Sequence, residues 1–175
     1  MPTSKANRGA KPQKEGPKNE LPEIPPVEAN LRFKSGGGGM VSTARDYARF
    51  CQFWLNCGEL DGVRLVSPKT VELMTTDHLP PGTKMGADMP SRFEALLPSP
   101  LMGQGFGLGF AVCNDVGRSP LHGSQGDYYW GGAHGTYFWI DPKERMFAVL
   151  MMQSPLQRLL YRYLMRELVY QALNR

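Results

Sequence analysis

Tyr128-Tyr-Trp-Gly-Gly-Ala-His-Gly-Thr-Tyr-Phe-Trp-Ile-Asp-Pro-Lys-Glu-Arg-Met-Phe-Ala-Val-Leu-Met-Met-Gln153 is the stretch whose reading decides the fold. Its runs 128–130, 137–140 and 146–152 are rich in aromatic, β-branched and other apolar side chains, which suit a pleated, half-buried surface, and they read as strands. Asp141-Pro-Lys-Glu-Arg145, between the last two, has turn chemistry: proline presets φ, and an aspartate bonds the backbone ahead of it. Short connections of this kind join antiparallel neighbours, so an antiparallel sheet is expected. Gly131 and Gly132 interrupt the first run where bulky neighbours favour an unbroken ladder. Glycine there marks either a bulge or turn, or a place where backbone comes close to a ligand.

Working outward, Phe106, Leu108, Phe110 and Val112 alternate with smaller residues at period two, and Gly105, Gly107 and Gly109 suit close packing on one face of a further strand. Downstream, Ser154-Pro155 opens a helix. Leu156, Leu159, Leu160, Tyr163 and Leu164 form its apolar face, with Glu167 near the middle of that face, and Arg158, Arg162 and Arg166 form a basic stripe expected to face solvent.

Upstream, Tyr47, Phe50, Cys51, Trp54 and Leu55 share one helical face opposite Arg45, Arg49, Gln52 and Asn56. Ser42 or Thr43 caps the start and Gly58 sits at the stop. Asp61-Gly62 marks a turn, 63–66 a short strand, and Ser67-Pro68 the start of a short helix over 67–75. Residues 77–104, dense in proline, read as a long connection of the kind that rims sites. Helices, a long loop, a sheet and a closing helix make an α+β arrangement.

At 175 residues with 41% hydrophobic content the chain fits one domain. Residues 1–30, rich in Pro, Lys and Glu, read as a disordered tail or linker ahead of a domain over 31–175. The net charge of +4 sits wholly in residues 1–18, which hold five Lys/Arg against one Glu, so the remainder is neutral and nucleic acid is not an expected partner. No apolar run is long enough to span a bilayer, and no secretory leader is visible, which leaves localisation open. Cys51, Cys57 and Cys113 are odd in number, with no C-x-x-C pair, and read as plain thiols. His78 and His122 lack partners at ligand spacing, and Gly36 to Gly39 lack the Gly-Lys-Ser/Thr ending of a phosphate loop, so neither metal nor cofactor is expected.

Trp130-Gly131-Gly132 resembles the Trp-x-Gly variant of the Lys-Thr-Gly strand motif in serine β-lactamases, DD-peptidases and family VIII carboxylesterases. The order that follows, Gly135-Thr-Tyr, an apolar strand, a Pro-containing hairpin, another apolar strand and a closing helix, is similar to that of class C β-lactamases. Gly37-Gly-Gly-Met-Val-Ser-Thr-Ala-Arg-Asp-Tyr-Ala-Arg-Phe50 is similar to a segment common in these hydrolases. The resemblance covers roughly residues 31–172 and implies the C-terminal part of a β-lactamase/transpeptidase-like fold.

It further implies that Trp130, Gly131, Gly132 and Ala133 line the substrate, with the Ala133 N–H as one oxyanion donor. Gly37, Gly38, Gly39, Met40 and His134 are expected at the substrate rim. Trp130 stands where β-lactamases carry a lysine facing a substrate carboxylate, which favours a neutral ester or amide. The family's Ser-x-x-Lys and Tyr-x-Asn or Tyr-x-Ser motifs do not occur in this chain. The expectation is therefore a chain inactive alone, whose partner is the N-terminal part of the same fold; the alternative is a non-catalytic ligand-binding or interaction homologue.

Overall fold

The computed structural model describes residues 9–13, 36–37, 40–84 and 97–173. Helix α1 (Ala44–Leu55) begins where Thr43 adopts an extended conformation and its side chain accepts a hydrogen bond from Asp46 N at 3.1 Å. It ends as Cys57 and Gly58 turn left-handed, with φ of 55° and 88°, and Gly58 N donates to Phe53 O at 2.9 Å. Strands β1 (Glu59–Leu60) and β2 (Val63–Arg64) form a hairpin closed by Asp61 and Gly62, both at positive φ as a tight two-residue turn requires. The strand expected over 63–66 is thus shorter than its pattern, and both its residues are exposed. Helix α2 (Pro68–Met74) starts on a Ser67 cap that accepts from Thr70 N at 3.1 Å.

The main sheet is a five-stranded antiparallel meander, β3 (Gln104–Phe106), β4 (Ala111–Cys113), β5 (Tyr128–Gly131), β6 (Gly135–Asp141) and β7 (Met146–Gln153), in that spatial order. The alternation from Phe106 to Val112 is not one strand. The backbone folds back, with Gly107 N donating to Phe110 O at 2.8 Å, and Leu108 is 49% exposed at the tip. The reason lies in α2: Leu108 N donates to Met74 O at 2.9 Å, and a side chain on Gly107 would meet the Met74 and Thr76 carbonyls. An orphan carbonyl at a helix end is satisfied by breaking the strand. The expected hairpin at 141–145 does form, with Glu144 N bonded to Asp141 Oδ1 at 3.0 Å.

One face of the sheet presents Phe110, Val112, Tyr128, Phe138 and Ile140, which pack with Cys51 and Trp54 of α1 and Val71 of α2. The rings meet edge to face or tilted, as in Trp54 with Phe110 at 5.0 Å and Tyr47 with Phe138 at 5.2 Å. The opposite face presents Tyr129, Tyr137, Trp139 and Asp141, and helix α3 (Arg158–Gln171) lies over it.

Helix α3 lies with the reverse face inward from the one expected. Arg158, Arg162 and Arg166 are buried, while Leu156, Leu160, Leu164 and Leu168 are 46–62% exposed. The sheet face beneath supplies what guanidinium groups need. The Arg162 group lies 5.4 Å from the Tyr137 ring centre, and Arg166 lies 5.4–5.8 Å from the Trp139, Tyr129 and Tyr170 rings. Arg166 also donates to the Tyr137 hydroxyl at 3.0 Å and the His122 carbonyl at 2.5 Å, and pairs with Asp127. The helix begins at Arg158 after a turn at 155–157, later than Ser154-Pro155 suggests, and Glu167 sits in the exposed row.

Of the stretch 1–30, only residues 9–13 are described, and Gln13 N donates to Gln153 O at 2.7 Å at the end of β7. The rest of the expected tail, and residues 85–96 of the long connection, lie outside the described residues.

Candidate active site

The end of β5 is built by register. Trp130 pairs with Phe138, and Gly131 with Tyr137, so the indole lies on the α1 side and any side chain at Gly131 would point toward α3. Trp130 is half-buried, its ring edge-on to Phe106 at 5.2 Å. Beyond Gly131 the chain turns sharply: Gly132 N donates to Thr136 O at 2.8 Å, and Gly135 N, at φ 120°, donates to Gly132 O at 3.1 Å. Ala133 and His134 form the tip of this turn, both half-buried. Among the described residues, no acceptor takes the Ala133 N–H.

Both glycines of the motif are held by contacts inside the chain. A Cβ on Gly131 would lie 2.6 Å from Arg162 Nη2, and one on Gly132 would meet the Thr136 hydroxyl. Arg162 Nη2 donates to Gly132 O at 2.6 Å and Thr136 O at 2.9 Å, which ties the turn to α3. Burial lowers the Arg162 pKa to about 10, which still leaves the group cationic at neutral pH.

Of the residues expected at the rim, Gly37, Met40 and His134 are among the described residues. Gly37 and Met40 are exposed, Met40 at 80%, and both precede α1; Gly38 and Gly39 lie outside the described residues. The remaining histidines have structural partners: His78 Nε2 is 2.7 Å from Leu73 O, and His122 stacks on Tyr170. Burial raises the Cys51 thiol to about 12. Burial and the nearby Asp127 charge raise Cys113 to about 11, so neither offers a thiolate at neutral pH. Among the described residues, no three His, Cys, Asp or Glu side chains gather as a metal site would need.

A family model described as Beta-lactamase matches residues 2–168 of this chain. The chain belongs to the β-lactamase family. Two curated relatives from Mycobacterium tuberculosis, "Uncharacterized protein MT1414" and "Protein Rv1367c", are each 38% identical over 132 residues, which is 74% of this chain and 31% of the relative. The chain thus spans about a third of the length of the curated relatives it matches. Among solved structures, "EstCE1, a hydrolase with promiscuous acyltransferase activity" is similar with TM-score 0.62 and 26% identity over 81% of this chain and 33% of that one. Two further structures show likeness of fold. Simvastatin Synthase (LovD) from Aspergillus terreus has TM-score 0.55 and 20% identity, covering 74% of this chain and 34% of that one. A penicillin-binding protein homolog from Caulobacter crescentus has TM-score 0.51 and 18% identity, covering 89% of this chain and 42% of that one.

Within this β-lactamase-family chain, Arg162, Arg166 and Asp127 are the residues that sequence patterning passes over. A signal for them was present. Tyr129, Tyr137 and Trp139 alternate onto one face of β5 and β6, and arginines spaced four apart on the next helix match a face lined with aromatic rings.

Proposed function

We propose that this chain forms the substrate-lining part of an acyl-transferring serine hydrolase acting on neutral esters or amides, with the nucleophile supplied by a part of the fold outside these 175 residues. The observation that carries the reading is the Ala133 N–H, unshared among the described residues at the tip of the turn that follows Trp130-Gly131-Gly132. A fixed donor aimed at a developing oxyanion contributes on the order of 3 kcal/mol to transition-state stabilisation. Trp130 presents an aromatic wall, paired with Phe106, where the family's lysine would present charge, which favours an uncharged acyl group. Gly37, Gly38, Gly39, Met40 and His134 are assigned to the rim. The acyltransferase activity named for EstCE1 supports acyl transfer as the reaction class.

In this reading the lysine of Ser-x-x-Lys helps take the serine proton as the serine oxygen attacks the carbonyl carbon, and the Ala133 N–H and the serine's own N–H take up the oxyanion; collapse of the tetrahedral intermediate breaks the bond to the alcohol or amine, which leaves with that proton, and a water then hydrolyses the acyl-serine to the free acid and the serine. The partner is the remainder of the same fold. Among the described residues β7 is an edge strand of the sheet, met on its outer side by Gln13 at Gln153, and the exposed leucine row of α3 borders a groove of about 640 Å³ lined by Gln13, Leu150, Met152, Tyr161, Leu164 and Leu168. A sheet edge beside exposed apolar side chains is a surface that needs covering. That apolar surface favours the incomplete enzyme over a self-sufficient, non-catalytic binding homologue. Residues 31–175 are assigned to the C-terminal part of the hydrolase domain and 1–30 to a tail or linker.

A fluorophosphonate probe tests the assignment. The chain alone is expected to stay unlabelled under conditions that label a family hydrolase fully, and labelling of one of its own serines at a comparable rate would refute it.

A further inference from the structure

The peptide plane that offers the Ala133 N–H is also the plane whose carbonyl is Gly132 O, because C=O and N–H of one peptide unit are coplanar and point in opposite directions. That carbonyl is the one Arg162 Nη2 holds at 2.6 Å. Fixing the oxygen end of the plane fixes the direction of the N–H end.

The same nitrogen reaches Thr136 O at 2.9 Å, so both carbonyls that close the turn carry two donors. Gly132 O accepts from Gly135 N and Arg162, and Thr136 O accepts from Gly132 N and Arg162. Arg162 is itself held on the inner face of α3, 6% exposed, with its guanidinium 5.4 Å from the centre of the Tyr137 ring. A charged donor on a carbonyl draws electron density through the amide, which makes the N–H at its other end a stronger donor.

We infer that Arg162 is a positioning residue for the oxyanion donor: from behind the strand it orients and polarises the Gly132–Ala133 peptide without touching substrate. The inference rests on the reading of Ala133 N–H as that donor, and it gives Gly131 a reason to be glycine, since a Cβ there would occupy the guanidinium position. An aim fixed by a rigid helix suits a site where small errors of geometry cost much of the rate.

Two arms separate this inference from the reading beneath it. In the full chain at low micromolar concentration, hydrogen exchange resolved to single amides is compared for wild type, Arg162→Gln and Arg162→Lys. The clamp predicts that Arg162→Gln speeds exchange at Gly132 and Gly135 by about tenfold or more while the Trp139 and Ile140 amides are unchanged. Arg162→Lys, a point charge able to reach one carbonyl, falls between, and it serves as the comparison if the glutamine variant does not fold. Unchanged exchange at the turn, or equal acceleration along all of β6, overturns the clamp. In the second arm the chain is assembled with a family polypeptide bearing Ser-x-x-Lys, and kcat is expected to fall on the order of 10- to 100-fold in Arg162→Gln with KM within about twofold, partly recovered by lysine. A kcat equal to wild type overturns the catalytic part. An assembly that is inactive even with Arg162 present refutes Ala133 as a working oxyanion donor, and with it that catalytic part, while the exchange arm still decides the clamp.

Discussion

Arg166 and Asp127 form an ion pair with side chains 3% and 0% exposed, on the sheet face that the helical pattern of the sequence assigns to leucines. Burial pushes the Asp127 carboxyl upward, against the pull of the adjacent guanidinium. Arg166 is held above its ordinary value, because Tyr137 and Asp127 outweigh the effect of burial. The pair links the start of β5 to α3, and its Asp127 Oδ1 has no partner among the described residues.

Removing one member of such a pair leaves a buried charge uncompensated. Arg166→Met is expected to cost about 3–5 kcal/mol, and adding Asp127→Asn to recover a substantial part of it. Urea unfolding of the two singles and the double, followed by near-ultraviolet circular dichroism, measures the coupling; additive effects would show that the pair does not act as a unit.

Gly107 and Gly131 are both closed to a side chain, but by different atoms. At Gly107 the neighbours are the Met74 and Thr76 carbonyls, fixed in the backbone, whereas at Gly131 the nearest atom is the end of the Arg162 side chain. Gly107→Ala is therefore expected to destabilise the chain by about 3 kcal/mol and Gly131→Ala by about 1–2 kcal/mol. Thermal shifts of the two variants in parallel give the ranking, and equal losses would count against it.

Asp77 accepts from Leu79 N and Phe106 N at 3.0 Å and from Asn114 Nδ2 at 2.6 Å, joining the long connection to β3 and β4. Burial draws its carboxyl upward, yet these hydrogen bonds outweigh burial and hold it below the usual carboxylate range. A depressed folded-state pKa adds stability above the unfolded value of about 4, and that stability is lost as pH falls through the folded pKa. Asp77→Asn is expected to cost about 1 kcal/mol at neutral pH, the low end for such bonds because the carboxylate is partly solvated, and to flatten the acid limb of the stability curve below about pH 4. Urea midpoints across pH 2.5–7 show whether the variant's loss shrinks with acid.

How much of this was legible in sequence follows from which forces set each element. Helix α1 and α2 were, because Thr43 and Ser67 cap them locally and their apolar faces have one plausible side to bury. The three strands between Tyr128 and Gln153 were, since their turns carry their own chemistry. The break between β3 and β4 was not: Gly107 stops the strand because of Met74 O, a neighbour in space that a period-two pattern does not register. The orientation of α3 failed for the same reason. A helical pattern ranks leucine above arginine for burial, but the aromatic rings of Tyr129, Tyr137 and Trp139 and the Asp127 carboxylate reverse that ranking.

The reversed helix leaves a testable surface. With Leu160, Leu164 and Leu168 outward on the side of the β7 edge, the isolated chain is expected to self-associate as its concentration rises. Leu164→Glu with Leu168→Lys should shift it toward monomer without loss of helical signal. Sedimentation velocity from low to high micromolar concentration decides this, and a wild-type chain that stays monomeric and unfolds cooperatively would favour the self-sufficient homologue.

The most direct measurement is reconstitution. The chain is mixed with a family polypeptide that carries Ser-x-x-Lys and Tyr-x-Asn or Tyr-x-Ser but lacks the Trp-x-Gly strand, and turnover of a neutral ester such as p-nitrophenyl butyrate is followed. Neither component alone should hydrolyse it above background, while the mixture should, with the acyl group trapped on the serine of the added polypeptide. Stable association of the two without turnover, or ester hydrolysis by the 175-residue chain alone, would contradict the account.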